Sequence, residues 1–396
     1  MRRGVVLTAG LVVAVLILAR CGISWHVGKL LKRADSALLI DDDPELAERT
    51  SKELLDWDND HPQGLLIHGV ALARQGHLEQ ALDFLQRVPD GSPFRKDAET
   101  TIGTALIRLH RYRQAEAQLR ANLARDSSDD SARSELFSLL LLTMRVEEAI
   151  HLYEVGLTGT QQDIPRLTEL LKILAETAPA RRRRDGIRKY CRNLEGEPDA
   201  LAALGQTSAL LGEPEEAEKY FRQAIDADPG NQRILIWAAE FFLSQGEESA
   251  ARAILHHCSP PSGLTTPPDK RRYAEYQRIQ AELSLKDGNL EAALDSVESS
   301  LEAWPYGPAF SLKADILRQV GRASEALEAM AELSALGQAD LKMIRLHTAA
   351  QMEPVTPELC AELSASLSRL GRGRQAEAWA SIGVQLRKSN RAVVYE

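Results

Sequence analysis

The side chains that could do chemistry in this chain are few and scattered. His256, His257 and Cys258 are adjacent, and imidazole and thiolate are metal ligands. Neighbours on a helix point about 100° apart, so the three do not converge on one ion. The four cysteines, Cys21, Cys191, Cys258 and Cys360, stand far apart and form no Cys-x-x-Cys pair. Neither a disulfide framework nor a zinc ribbon is expected from them. No phosphate-binding loop, nucleophile elbow, His-Glu-x-x-His helix or dinucleotide fingerprint occurs. Carboxylates are spread as i,i+4 partners of Lys and Arg, without a pair set apart for acid–base work. The expectation is a non-enzymatic chain with no cofactor and no metal. One run of like charge stands out: Arg181, Arg182, Arg183 and Arg184, followed by Arg188, Lys189 and Arg192. It reads either as a solvated face or as a docking patch for an acidic partner or anionic headgroups. No aromatic residues interleave with it, and the net charge is −9, so nucleic acid is not an expected partner.

The elements that would carry such residues are set by a period. Ala47, Ala81, Ala115 and Ala149 are successive steps of 34, and the phase continues through Arg183 to Ala217 and Ala251. Five residues before many of these alanines stands a glycine: Gly76, Gly212 and Gly246, with Gly288, Gly321 and Gly371 before Ala293, Ala326 and Ala376. Glycine ends a helix cheaply at positive φ. Twelve residues before the alanine is a small residue, such as Gly69, Gly103, Gly205, Ala239, Ala281 or Ala314. Four after it is a bulkier one, such as Leu85, Leu119, Tyr153, Phe221, Leu255 or Val297. Pro229 and Pro305 stop helices twelve residues on. Small residues at these places let two helices of one unit cross closely. No stretch alternates with period 2, so almost no strand is expected.

This pattern resembles the tetratricopeptide repeat family over roughly 28–390. The resemblance implies an all-α fold, an α-solenoid of about ten helix-turn-helix units in which each unit buries its core against the next. Units fall at 28–61, 62–95, 96–129, 130–163, 164–197, 198–231 and 232–265, with 28–61 and 164–197 degenerate. A Pro-rich insertion covers 259–273. Further units occupy 274–390, with an extra helix near 339–352, and a tail covers 391–396.

The N-terminus, 1–27, reads as a signal-anchor and juxtamembrane segment. After Arg2 and Arg3, residues 5–19 carry no charge. That is short of the ~20 apolar residues a span needs. It extends to Trp25 if Arg20 snorkels, so residues 4–25 are expected to enter the bilayer. Arg20 stands where a cleavage site would want a small residue. Basic residues flank both sides, so the positive-inside rule does not choose an orientation. An extracytoplasmic repeat domain is the expectation, and a cytoplasmic one the alternative.

The resemblance also implies a concave groove lined by the first helix of each unit. Its residues here are Gln63, Leu66, Val70, Arg74, Asp97, Thr100, Thr104, Arg108, Ser131, Ser134 and Ser138. Such a hydroxyl-rich surface suits an extended peptide or a helix. The expected function is a membrane-anchored scaffold that binds a protein or peptide partner during assembly or secretion at a bacterial envelope. The alternative is a cytoplasm-facing regulatory adaptor of a membrane-bound enzyme or protease.

Overall fold

The computed structural model describes residues 25–175, 184–188, 197–259 and 264–394. Residues 4–24 of the anchor expected at 4–25, and the basic residues Arg181, Arg182 and Arg183, lie outside them. Among the described residues no helix is long and apolar enough to cross a membrane. The chain divides into two units, 1–139 and 140–396, the boundary falling within one helix.

In the first unit a helix over 25–39, α1, is followed by α2 (Pro44–Trp57), α3 (Pro62–Gln75), α4 (Leu78–Gln86), α5 (Arg95–Arg108), α6 (Tyr112–Arg125) and α7 (Asp130–Leu142). The starts follow from residue type. Proline opens α2 and α3, and the Asp43 carboxylate accepts from the Leu46 N–H at 2.9 Å.

The second unit continues with α8 (Val146–Glu154), α9 (Ile164–Ala175), a short described stretch of α10 over 184–188, α11 (Pro198–Leu210) and α12 (Pro214–Ala227). Then come α13 (Gln232–Ser244), α14 (Glu248–His256), α15 (Pro267–Lys286), α16 (Leu290–Ala303), α17 (Gly307–Val320), α18 (Ala323–Met352), α19 (Pro357–Arg369) and α20 (Gly373–Val394). Successive helices pair as hairpins, and no strand occurs among the described residues. The fold is an all-α solenoid.

The 34-residue alanines are the crossing points. Ala47, Ala81, Ala115, Ala149, Ala217, Ala251 and Ala293 are fully buried. The small residue twelve places earlier meets the bulky one four places later. A Cβ built on Gly69 would lie 2.5 Å from Leu85 Cγ, and one on Gly103 would lie 2.6 Å from Leu119 Cδ2. At Gly205 the clash is with the Phe221 ring at 3.1 Å. These contacts leave no room for a methyl group, which is why the position must be small. The turn glycines Gly76, Gly212, Gly246, Gly288, Gly321 and Gly371 all have positive φ, between 73° and 91°. In the units that lack glycine there, His110 (φ 61°) and Met144 (φ 57°) adopt the same left-handed backbone. Geometry at this turn overrides residue preference.

Three elements depart from the periodic pattern. The helix expected near 339–352 is the second half of α18, one continuous helix of 30 residues. At about 1.5 Å per residue it is about 45 Å long. The Pro-rich insertion ends earlier than its composition implies, because Pro267 opens α15 and residues 267–273 are its first two turns. The tail expected at 391–396 is helical as far as Val394.

In the degenerate unit, α9 faces the C-terminal helices. Leu167 and Leu171 share one core with Met343 of α18, Cys360, Leu363 and Leu367 of α19, and Trp379 and Ile382 of α20. Polar contacts follow the same path. Arg372 makes a bidentate pair with Glu147, Gln375 Nε2 donates to Glu154 at 2.9 Å, and Gln385 Nε2 donates to the Gly159 carbonyl at 2.9 Å. The loop before α9 is held in place by Asp163, which accepts from the N–H groups of Thr158, Gly159 and Thr160 at 2.7–3.2 Å. The second unit therefore closes on itself.

Gly69→Ala and Gly103→Ala are each expected to destabilise by about 1–3 kcal/mol through overpacking. Gly91→Ala, with nothing within 4 Å of its Cβ, should be near neutral. The midpoint of helical unfolding by circular dichroism checks this. Met144→Gly is expected to stabilise by up to about 1 kcal/mol, and so to raise the midpoint, since it relieves a left-handed non-glycine residue.

Candidate functional site

Three of the groove residues expected in the first unit bond to its own helices. Gln63 Nε2 donates to Asp35 at 2.8 Å. Arg74 donates to the Leu38 carbonyl at 3.0 Å and to Asp42 at 2.8 Å, and Arg108 donates to the Ala73 carbonyl at 2.5 Å. Each reaches back to the preceding helical pair and ties adjacent repeats together. Leu66 and Val70 are half-buried, and Val70 packs on the Ala34–Ala37 cluster. Thr100 and Thr104 are half-buried, with Thr104 Oγ1 donating to the Thr100 carbonyl at 3.1 Å. Asp97, Ser131, Ser134 and Ser138 are exposed.

Of the basic run, Arg184 pairs with Glu213 and is 15% exposed, while Arg188 reaches Glu216 at 2.6 Å on the surface. Both arginines link α10 to α12 and are neutralised there. Cys258 and Cys360 are buried free thiols, each pushed up to about 11 by burial. His256 and His257 sit edge-to-face, 5.8 Å between ring centroids.

Two cavities that share a wall lie inside the second unit. One, of about 300 Å³, is lined by residues of α11, α13 and α15 together with the turn before α8 and the start of α17. The other, of about 390 Å³, lies among Trp304, Pro305, Leu333, Leu336, Met343 and Arg372. Arg271, Tyr306 and Pro308 line both. Helical spacing builds the wall. Arg233, Trp237 and Glu240 follow one another at i, i+4 and i+7 on α13, and Arg271, Glu275 and Arg278 do the same on α15.

The charges form a connected network. Arg145 donates to Glu148 at 3.0 and 2.5 Å and to Asp199 at 3.2 Å. Arg233 also bonds Asp199 and lies over the Trp237 ring at 5.3 Å. Arg278 holds Glu240 and, at 3.2 Å, Glu282. Arg271 donates to Glu275 at 2.8 Å and stacks on Tyr306 at 4.4 Å. Arg372 lies over Trp304 at 5.2 Å. Burial sets the titration here. It pushes the Glu275 carboxyl up against the pull of Arg271, and pushes Tyr306 up to about 12. It also opposes ionisation of Glu147, but the Arg372 guanidinium outweighs it and holds that carboxyl below its usual range.

Residues of this interior went unnamed in the sequence reading, though a signal for some of them was present. The second and ninth places of the units at 198–231 and 232–265 are Asp199, Gln206, Arg233 and Glu240. The same places in the units at 62–95 and 96–129 supply Gln63, Val70, Asp97 and Thr104.

Comparison with known proteins agrees with the helical pairing. Residues 100–164 and residues 208–260 each match the tetratricopeptide repeat. The chain carries tetratricopeptide repeats. A stretch of 182 residues is 24% identical to cellulose synthase operon protein C of Pseudomonas fluorescens; it makes up 46% of this chain and 12% of that relative. The chain thus spans only a small part of the relative's length. Among solved structures, a tetratricopeptide repeat protein from Parabacteroides merdae is 14% identical, with a TM-score of 0.29 over 74% of this chain and 99% of its own. The pilF protein of Pseudomonas aeruginosa is 15% identical, with a TM-score of 0.30 over 64% of this chain and 95% of its own.

Arg372→Leu would leave Glu147 without its partner, at an expected cost of roughly 3–5 kcal/mol at neutral pH. Adding Glu147→Gln should recover most of it. The pH dependence has a definite sign. A carboxyl whose folded-state value lies below its unfolded one stabilises above the unfolded value and loses that contribution as pH falls through the folded one. In Arg372→Leu burial acts on Glu147 against only the weaker pull of Arg271, so acid relieves it. The stability gap between wild type and variant, measured by urea unfolding, should therefore shrink from pH 7 to pH 4.

Proposed function

We propose that this chain is a membrane-tethered scaffold that binds a protein or peptide partner through the concave interior of residues 140–396. The observation that carries this is the closed interior itself. Two adjoining cavities, about 300 and 390 Å³, are lined by guanidinium, carboxylate and aromatic side chains on a repeat scaffold. Repeats of this kind present such concave surfaces to extended segments of other proteins. Arg, Trp and Tyr are also the side chains from which interface hot spots are built. The tether is read from residues 4–25, where the uncharged run 5–19 follows two arginines and only Arg20 separates it from the segment ending at Trp25. A role in assembly or secretion at a bacterial envelope, with the repeats outside the cytoplasm, follows from the same reading.

In-cell cross-linking of the full-length protein, followed by mass spectrometry, tests the interior. The partner is expected to be lost or reduced at least tenfold in Trp237→Ala, a hot-spot truncation of about 2 kcal/mol or more. It should be retained in Thr100→Arg and Ser138→Arg. The reverse pattern would return the site to the first unit. Extraction at high pH tests the tether: the full chain should stay with membranes, and a chain lacking residues 1–24 should be released.

A further inference from the structure

The two cavities differ in chemistry across their shared wall. On the first side lie guanidinium donors that the protein does not fully use. Arg233 is 11% exposed, and only its Nη2 makes a hydrogen bond, to Asp199. Its Nε and Nη1 are buried with no hydrogen-bond partner, and the nearest carboxylate oxygen to Nη1 is that of Glu148 at 3.6 Å. Arg272, on the same cavity, reaches Asp269 only at 3.9 Å. Arg233 is held below its usual range by burial, with Arg145 and Arg272 adding to the effect, so these guanidiniums stand close enough to repel one another. Orphaned donors on a buried charged group are costly. A carboxylate entering the cavity would satisfy them with charge-assisted bonds. On the far side of Arg271 and Tyr306, Leu174, Leu333, Leu336, Met343 and Leu370 line the cavity together with Asp340 and Arg372.

We infer that the paired cavities bind a peptide segment that carries an acidic side chain close to a bulky apolar one. The carboxylate sits at Arg233 and Arg272, and the apolar side chain sits among Leu333, Leu336 and Met343. The inference rests on the reading of this interior as the partner site and names the partner's chemistry. A singly charged acid fits better than a phosphate. Glu147, Glu148, Glu240 and Glu275 line the same space and would repel a dianion. The volumes, at or near the lower end of ligand pockets, take side chains of a short segment rather than a folded domain.

The test uses the full-length protein in detergent and an array of synthetic octapeptides that vary the spacing between Asp or Glu and Leu, Phe or Met. Matched peptides carry Asn or Gln for the acid and Ala for the apolar residue. Affinities of the best pair are then measured by fluorescence anisotropy for wild type, Arg272→Gln and Leu336→Asp. In wild type, acid-to-amide replacement is expected to weaken binding by about tenfold or more, the scale of one lost charge-assisted bond. In Arg272→Gln that preference should fall to about threefold or less. In Leu336→Asp the apolar preference should vanish while the acid preference remains. Binding without an acid preference, or a preference that Arg272→Gln leaves unchanged, overturns the inference. So does an array with no bound peptide while the cross-linked partner is still lost in Trp237→Ala, which would leave the partner site standing. If that partner also survives Trp237→Ala, the partner site itself fails.

Discussion

The second unit depends on α9 finding its partner nearly two hundred residues further along the chain. A repeat helix ordinarily buries its apolar stripe against the next pair. Here Leu167 and Leu171 pack with Met343, Leu363, Leu367 and Trp379. The length of α18 makes this possible: a helix about 45 Å long carries Met343 beyond the point where a repeat helix would stop. The Arg372–Glu147 pair and the Gln375–Glu154 bond then fix the register of the closure. A buried ion pair adds little net stability over an apolar one, yet losing one partner is costly, so its contribution is to geometry. Without that geometry the walls formed by α13, α15 and α17 would not face the start of α8 across a confined space.

The same repeat places serve two purposes. In the first unit the second place ties neighbouring pairs together, as Gln63 does with Asp35. In the second unit the same places also put charge at a cavity, as Arg233 and Glu240 do, while Asp199 ties Arg145 to Arg233. A solenoid keeps its packing residues fixed by close approach and leaves these inward positions free to vary. The fold and the site are therefore decided by different residues on the same helices.

That division explains what could be read from the chain. The alanines from Ala47 to Ala251, the glycines opposite Leu85, Leu119 and Phe221, and the left-handed turns encode local crossings, and local crossings leave a period. Even His110 and Met144 keep the phase with the wrong residue. The closure leaves none. Leu167 and Leu171 look like any apolar pair at i and i+4, and nothing in their spacing says which helix covers them. Arg271 and Arg272 fall in a stretch whose prolines suggested a loop, because Pro267 and Pro268 read equally as a break and as a helix start. Positions two and nine marked the inward face, but only the structure distinguishes a face that is tied across to its neighbour from one that encloses space.

The closure is also the claim most open to direct measurement. Val155 and Val384 are both more than half exposed and lie on the two sides of the seam. Spin labels at these positions, attached without using cysteine, report their separation by pulsed electron resonance. Adjacent helices about 10–12 Å across place the labels within about 30 Å, with a narrow distribution. An open solenoid would set the pair formed by α19 and α20 six steps of roughly 10 Å from the pair formed by α7 and α8, about 60 Å away. A short, narrow distance supports the closed interior. A long or broad one would mean the unit does not close, and the chamber on which the partner site rests would not exist.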